Sequence, residues 1–231
     1  MLAAFMAAID ELEASGAPLL LLKAQGRLFS AGYAIGEIPE AIFHADPAIR
    51  AGSPFERALV RLSRYPSPVL AAVQGDAYGG AVELLCCADL RIGAPEARIA
   101  VPAVRLGLIY SLSGLGRLAW SLGPSLMTEM LLTGEAVGAR RLLRAGFFHR
   151  LAYPDDLDAA SERLLASLAA GAPLALRGTR RALRAMAEVQ ALPPAIVAEI
   201  EALRHGSWSS EDFREAQAAF LAKRPPRFQG R

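Results

Sequence analysis

Cysteine is almost missing from this sequence: only Cys86 and Cys87 occur, side by side in an apolar run. Two adjacent thiols cannot build a disulfide framework, and they offer no CxxC or CxxH spacing for a structural metal, so a reducing, cytoplasmic setting fits best. Lysine is equally scarce, with Lys23 and Lys223 alone among a basic charge that is otherwise arginine. Neither sign of charge is in excess: 25 basic side chains face 23 acidic ones, a formal charge of +2. That balance steers little and excludes a polyanion as the partner the chain is mainly designed for. No apolar stretch reaches the length of about 18 residues that a membrane span needs, because Asp10, Lys23, Glu83 and many arginines interrupt every candidate. The opening residues run directly into Asp10, Glu11 and Glu13 without a basic segment, so no signal peptide is expected.

What is abundant is apolar: 53% of the 231 residues are hydrophobic, which excludes intrinsic disorder and is ample for a buried core. Leu2, Phe5, Met6, Ile9 and Leu12 recur at helical spacing and stop at Gly16, predicting an amphipathic helix. Leu19 to Leu22 then reads as a strand buried on both faces. The rhythm repeats, with a helix from Phe55 to Arg64, breakers at Pro66 and Pro68, and a strand from Val69 to Val73. A helical run from Ala81 to Ala88 and short strands at Leu90 to Ile92 and Arg98 to Val101 follow. Beyond about residue 114 the pattern predicts almost only helix, with turns at Gly123-Pro124, Gly146, Pro154, Gly171-Pro173 and Pro193-Pro194. The fold class expected is therefore α/β, followed by a helical region that packs on the first half or is exchanged between copies. Arg177, Arg180, Arg181 and Arg184 form a helical stripe, and Arg140, Arg141 and Arg144 a similar one. A solvated or dipole-complementing face is the plainer account of both, a phosphate or RNA contact the sharper one.

Two segments place small residues where a strand ends. One runs from Leu19 through Gly26 to Tyr33, the other from Val69 through Gly75 and Gly79-Gly80 to Glu83. Each delivers backbone N–H groups at the carboxyl end of a strand, where α/β sheets bind ligands. In the second, a Gly pair opens a helix, so a substrate oxygen can approach free N–H groups with no Cβ in its way. Glu83 follows one turn later; a helix-start glutamate is the commoner reason for such a residue, and acid/base work the functional one.

These segments resemble those of a known family. Phe29-Ser30-Ala31-Gly32-Tyr33-Ala34-Ile35-Gly36-Glu37 and Ala71-Ala72-Val73-Gln74-Gly75-Asp76-Ala77-Tyr78-Gly79-Gly80-Ala81-Val82-Glu83-Leu84 resemble, in order and separation, the two signature segments of the enoyl-CoA hydratase/isomerase (crotonase) superfamily. The tail from Ser210 to Phe228 is similar to that family's ending. The resemblance implies a ββα-superhelix core over residues 1–170 and a helical oligomerisation region over residues 171–231. It further implies a homotrimer or a dimer of trimers, and an acyl-CoA thioester as substrate, with coenzyme A as part of that substrate and neither metal nor separate cofactor. By the same resemblance, the thioester oxygen sits between the backbone N–H groups of Tyr33 and Gly80, each worth on the order of 3–4 kcal/mol to a developing enolate. Glu83 takes the acid/base role. Ala31, Gly32 and Gly79 line the acyl site, while Phe220 and Lys223 approach the coenzyme of a neighbouring subunit. Tyr110 and Ser111, which follow the segment holding Ala103, either line the acyl pocket and offer a hydroxyl there or serve packing and the turn, the commoner role.

The departures from the family pattern are specific. Ala103 stands where family hydratases carry a second glutamate, so Glu83 is left to act alone, as one base can in moving a proton between carbons. Ala34 replaces the usual aspartate, and the β-hairpin that precedes the first helix in family members has no counterpart in this sequence. Hydration or double-bond isomerisation is the expected reaction. Thioester hydrolysis or decarboxylation, which share the oxyanion site without a second glutamate, is the main alternative, and a non-catalytic acyl-CoA or RNA binder the third. His44, His149 and His205 lack metal-like spacing, and Gly114-Leu115-Gly116 lacks the third glycine of a dinucleotide turn.

Overall fold

The computed structural model describes residues 1–32, 53–188 and 192–230. Helix α1 (Leu2–Ala14) ends as expected at Ser15-Gly16, where Gly16 turns left-handed. It lies against α2 (Pro54–Ser63), tied to it by Arg61, which ion-pairs with both Asp10 and Glu13. Helix α2 starts sharply because Ser53 accepts a hydrogen bond from the Glu56 N–H at 3.1 Å and Pro54 occupies the first turn.

Four parallel strands form one sheet in the order β1 (Leu20–Lys23), β2 (Val69–Val73), β4 (Leu90–Gly93), β7 (Arg150–Leu151). A second sheet holds β3 (Ala77–Tyr78) parallel to β5 (Arg98–Ala100), with β6 (Val137–Gly138) antiparallel to β5 and Ser30 bridged onto Ala77 at the other edge. Each turn of the chain gives one strand to each sheet and then a helix: β2, β3 and α3 (Gly80–Cys86), then β4, β5 and α4 (Leu112–Thr133). Strand β2 is buried throughout, and its alternation separates two cores. Val69, Ala71 and Val73 face the main core, whereas Leu70 and Ala72 meet Leu157, Ala160 and Leu164 of α6 (Leu157–Ala169). That is the period-two signature of a strand covered on both faces.

The second half is less purely helical than its sequence predicts. Strands β6 and β7 extend both sheets on either side of α5 (Ala139–Arg144), so the α/β body continues well past residue 114. Two-residue strands carry no periodic pattern from which to read them. Gly123-Pro124 does break the chain direction, though inside α4: Gly123 adopts φ 71° and ψ 158°, and helix resumes directly after it.

Helix α7 (Pro173–Glu188) carries the arginine stripe and turns part of it inward. Arg180 and Arg184 ion-pair with the two oxygens of Asp89 at 2.7 and 2.8 Å, and Asp89 also accepts the Val69 N–H at 2.8 Å. Arg184 further donates to the Cys87 carbonyl at 2.6 Å. Arg177 and Arg181 face solvent. The inward arginines thus serve the fold rather than a polyanion. Helix α9 (Glu211–Leu221) returns to the short 3-10 turn Pro102–Leu106 of the same chain, and α8 (Pro194–Ser209) packs on α9 and accepts the Ile109 N–H on Ser207 at 3.3 Å. Gly107, at φ +66°, lets α9 come so close that an added Cβ would stand 3.2 Å from the Phe213 nitrogen. The face of α9 that is covered includes Ala216 and Ala219, with Phe213 edge-on to Trp208, while Phe220 is left 55% exposed.

Candidate active site

Both turns singled out in the sequence meet at the edge of the second sheet. Phe29 donates its N–H to the Asp76 carbonyl at 2.9 Å, Tyr78 donates to Ser30 O at 3.0 Å, and the Gln74 amide donates to the carbonyls of Gly26 and Leu28. The first loop is thereby laid along the second. Gly32, at φ +78°, approaches so closely that a Cβ there would lie 2.4 Å from the Tyr78 oxygen and 3.4 Å from the Gly80 nitrogen. Gly79 turns into α3 at φ 56° and ψ −120°, a backbone state that only glycine adopts readily. Its own N–H is used on Ala100 O at 2.9 Å, and Gly80 is the first residue of α3, in the opening turn whose N–H groups have no acceptor earlier in the helix. An added Cβ at Gly80 would meet the ring of Phe55 at 2.9 Å. The missing side chain therefore makes room for Phe55 as well as for a ligand. Tyr33, the other expected donor, lies outside the described residues, as do Ala34, Glu37 and His44; Ala31 and Gly32 lead directly to it.

Glu83 stands on the first turn of α3 and is only 5% exposed. Its carboxylate accepts a hydrogen bond from Arg117 Nη1 of α4 at 2.9 Å. The same guanidinium ion-pairs with Glu56 of α2 through Nη1 at 3.3 Å and through Nη2 on the other carboxylate oxygen. Burial pushes the Glu83 carboxyl above the usual carboxylate range, and Arg117 opposes that shift without cancelling it. Tyr110 closes the other side. Its buried hydroxyl faces the Glu83 carboxyl and interacts with it. Desolvation holds this phenol well above its ordinary value, so it remains a neutral donor. Gly114 completes the cluster, since an added Cβ would come within 2.7 Å of the Tyr110 ring and 2.9 Å of Glu83 Oε2.

The remaining candidates are distributed differently. Ser111 caps α4, accepting the Gly114 N–H at 3.1 Å. Ala103 lies in the Pro102–Leu106 turn, partly buried against the main core. Phe220, at the end of α9, and Lys223, just past it, are exposed. Asp76 is a turn residue whose carboxylate takes the Tyr78 hydroxyl and the Arg98 N–H, each at 2.8 Å. His149 accepts the Arg91 N–H at 3.1 Å, and Arg91 beneath it donates to Leu85 O, Ala88 O and Phe147 O, fixing the end of the helix that bears Glu83. Glu56, Arg117 and Gly114 were not singled out as site residues from sequence. The capping pattern Ser53-Pro54-Phe55-Glu56 is a signal that could have marked the helix start, but nothing in it points to the partner of Glu56.

A family profile described as enoyl-CoA hydratase/isomerase matches residues 1–231, the whole chain. The chain belongs to the enoyl-CoA hydratase/isomerase family. This family member is an acyl-CoA-processing enzyme with the crotonase fold. It is 32% identical over 234 residues to the 2,3-dehydroadipyl-CoA hydratase of Escherichia coli K12, covering 99% of this chain and 89% of that one. It is 28% identical over 227 residues to the methylmalonyl-CoA decarboxylase of the same organism, covering 97% and 86%. A solved methylmalonyl-CoA decarboxylase in complex with 2-nitronate-propionyl-CoA superposes with a TM-score of 0.91 at 26% identity, covering 100% of this chain and 88% of that chain. The family's enzymes act on coenzyme A thioesters.

Proposed function

We propose that this enzyme stabilises the enolate of a coenzyme A thioester and uses it to decarboxylate a malonyl-type acyl-CoA. The observation that carries the reading is the buried Tyr110 phenol held neutral beside Glu83, in a site where Ala103 takes the place of a second carboxylate. Adding water to a double bond needs one group to take a proton from water and another to deliver one to carbon. Decarboxylation needs neither at the bond-breaking step. The bond between the α-carbon and the carboxylate breaks, CO₂ departs, and the electron pair moves into the thioester as an enolate whose oxygen is held by the Gly80 and Tyr33 N–H groups. Tyr110 donates a hydrogen bond to the substrate carboxylate and fixes its direction. Glu83, whose neutral form burial favours, then gives a proton to the α-carbon. The structural likeness to a methylmalonyl-CoA decarboxylase supports this reading.

Isomerisation or hydration is the second reading, favoured by the likeness to a dehydroadipyl-CoA hydratase and by the single buried glutamate, which suffices to move one proton between carbons. Finer assignments belong to the same proposal: a cytoplasmic enzyme without metal, a homotrimer or dimer of trimers assembled through residues 171–231, with Phe220 and Lys223 near the coenzyme of a neighbouring subunit. A lysine ammonium suits a phosphate contact. Turnover of methylmalonyl-CoA, crotonyl-CoA and a 3-enoyl-CoA, measured side by side, tests the reaction. The first is expected to release CO₂ with the highest kcat/KM, and Tyr110→Phe to lower that value at least tenfold. Hydration of crotonyl-CoA with no CO₂ release from the first substrate refutes decarboxylation.

A further inference from the structure

Arg117 is a single cation placed between two carboxylates that come from different elements. Its side chain is largely covered and faces Glu83 on α3 and Glu56 on α2. One guanidinium nitrogen is shared, 2.9 Å from Glu83 Oε2 and 3.3 Å from Glu56 Oε2, and the second is given wholly to Glu56. Glu56 cannot drift away, because its backbone N–H is fixed on the Ser53 hydroxyl and the neighbouring Phe55 ring occupies the space beside Gly80. Glu83 thus receives the smaller part of one positive charge.

We propose that Glu56 and Arg117 are positioning residues: by drawing Arg117 toward α2, Glu56 leaves Glu83 less fully neutralised by the shared guanidinium and adds to the bias toward the neutral acid that can deliver a proton. The inference rests on Glu83 being the proton-transfer group. Other groups facing Glu83 do not carry the charge. Tyr110 stays a neutral phenol, and the thiols of Cys86 and Cys87 on its own helix are pushed by burial to about 11 and about 12. That leaves Arg117 from α4 and Glu56 from α2 as the charged groups acting on Glu83 among the described residues. Both pull in known directions. Removing the Glu56 charge deletes a like charge and frees the whole guanidinium for Glu83, so the Glu83 carboxyl becomes more acidic. Removing the Arg117 charge makes it less acidic.

The test is to titrate Glu83 directly, by the infrared or ¹³C signal of its carboxyl, assigned through its loss in Glu83→Gln. In Glu56→Gln, which keeps the shape of the side chain without its charge, the midpoint should fall by about one pH unit, a tenfold change in acidity. In Arg117→Gln it should rise, and Arg117→Lys, which keeps the charge without the two-pronged reach, should lie between. The limb of the kcat profile that reports the acid should shift with each midpoint. A Glu83 midpoint that stays within about 0.3 unit of wild type in Glu56→Gln overturns the proposal, whatever happens to thermal stability. Because the titration needs no turnover, its outcome is separable from the catalytic reading. A shifted midpoint in a protein that processes no thioester upholds the charge sharing and removes the role of Glu83. Turnover that depends on Glu83 with an unmoved midpoint does the reverse.

Discussion

Gly114→Ala adds one methyl group where three parts of the site converge, and its consequences follow from distances. The new Cβ would lie 2.7 and 2.8 Å from two Tyr110 ring carbons and 2.9 Å from Glu83 Oε2. Ordinary carbon contacts begin near 3.5 Å, so the ring has to retreat by about 0.8 Å. Overpacking of this kind costs about 1–3 kcal/mol, of which alanine's preference for helix returns up to about 1 kcal/mol. The net loss is about 0–2 kcal/mol, and for a chain of this size Tm falls by no more than about 8 °C. Activity responds more strongly, because a displacement near 1 Å of a group that orients substrate costs on the order of 10²-fold. The assay pairs thermal unfolding with kcat/KM on the best thioester. Gly116→Ala is the control: it lies on the same helix, its added Cβ has nothing within 4 Å among the described residues, and it should leave turnover unchanged. Gly114→Ala with wild-type kcat/KM would refute the assignment of Tyr110 and Glu83 to the site.

Glu83→Gln should keep the fold and ligand binding but lower turnover by about 10²-fold, as removal of a general acid/base does, and unchanged kcat sinks the role. The same variant has a pH signature. Since burial raises the Glu83 carboxyl in the folded state, its contribution to stability is complete below the ordinary carboxylate value and is lost as pH rises through the raised one. Melting temperatures of Glu83→Gln relative to wild type should therefore improve with rising pH; a constant difference contradicts the shift. Asp89→Ala strips two covered arginines of their common carboxylate and should cost about 3 kcal/mol, seen as a Tm lower by roughly 6–12 °C; a loss below 1 °C would show that α7 is held otherwise. Deleting residues after Trp208 should weaken both assembly and CoA-ester affinity, and Lys223→Ala affinity alone. A full-length protein that scatters light as a monomer at micromolar concentration would exclude a site shared between subunits.

The sequence by itself determined the local elements and the chemistry of the two glycine turns. Helix α1, strand β2 and the strand-to-helix turn at Gly79-Gly80 stand close to where periodicity and turn residues put them, because each is specified by neighbours in the chain. Glu83 and Tyr110 were legible as candidates for the same reason: one follows a turn, the other a family segment. The strands β6 and β7 were not legible, since two residues carry no period, and their pairing exists only once β5 and β4 are beside them. The fate of the arginines was likewise tertiary. A stripe at helical spacing reads the same whether it meets solvent, a phosphate or Asp89, and only the docking of α7 against the end of α3 sends Arg180 and Arg184 inward. Most decisive is the Glu56–Arg117–Glu83 cluster. Its members are 27 and 34 residues from Glu83 in the chain, on three helices whose register to one another no local pattern encodes. What Glu83 can do depends on how much of Arg117's charge reaches it, and that is a matter of ångströms set by packing.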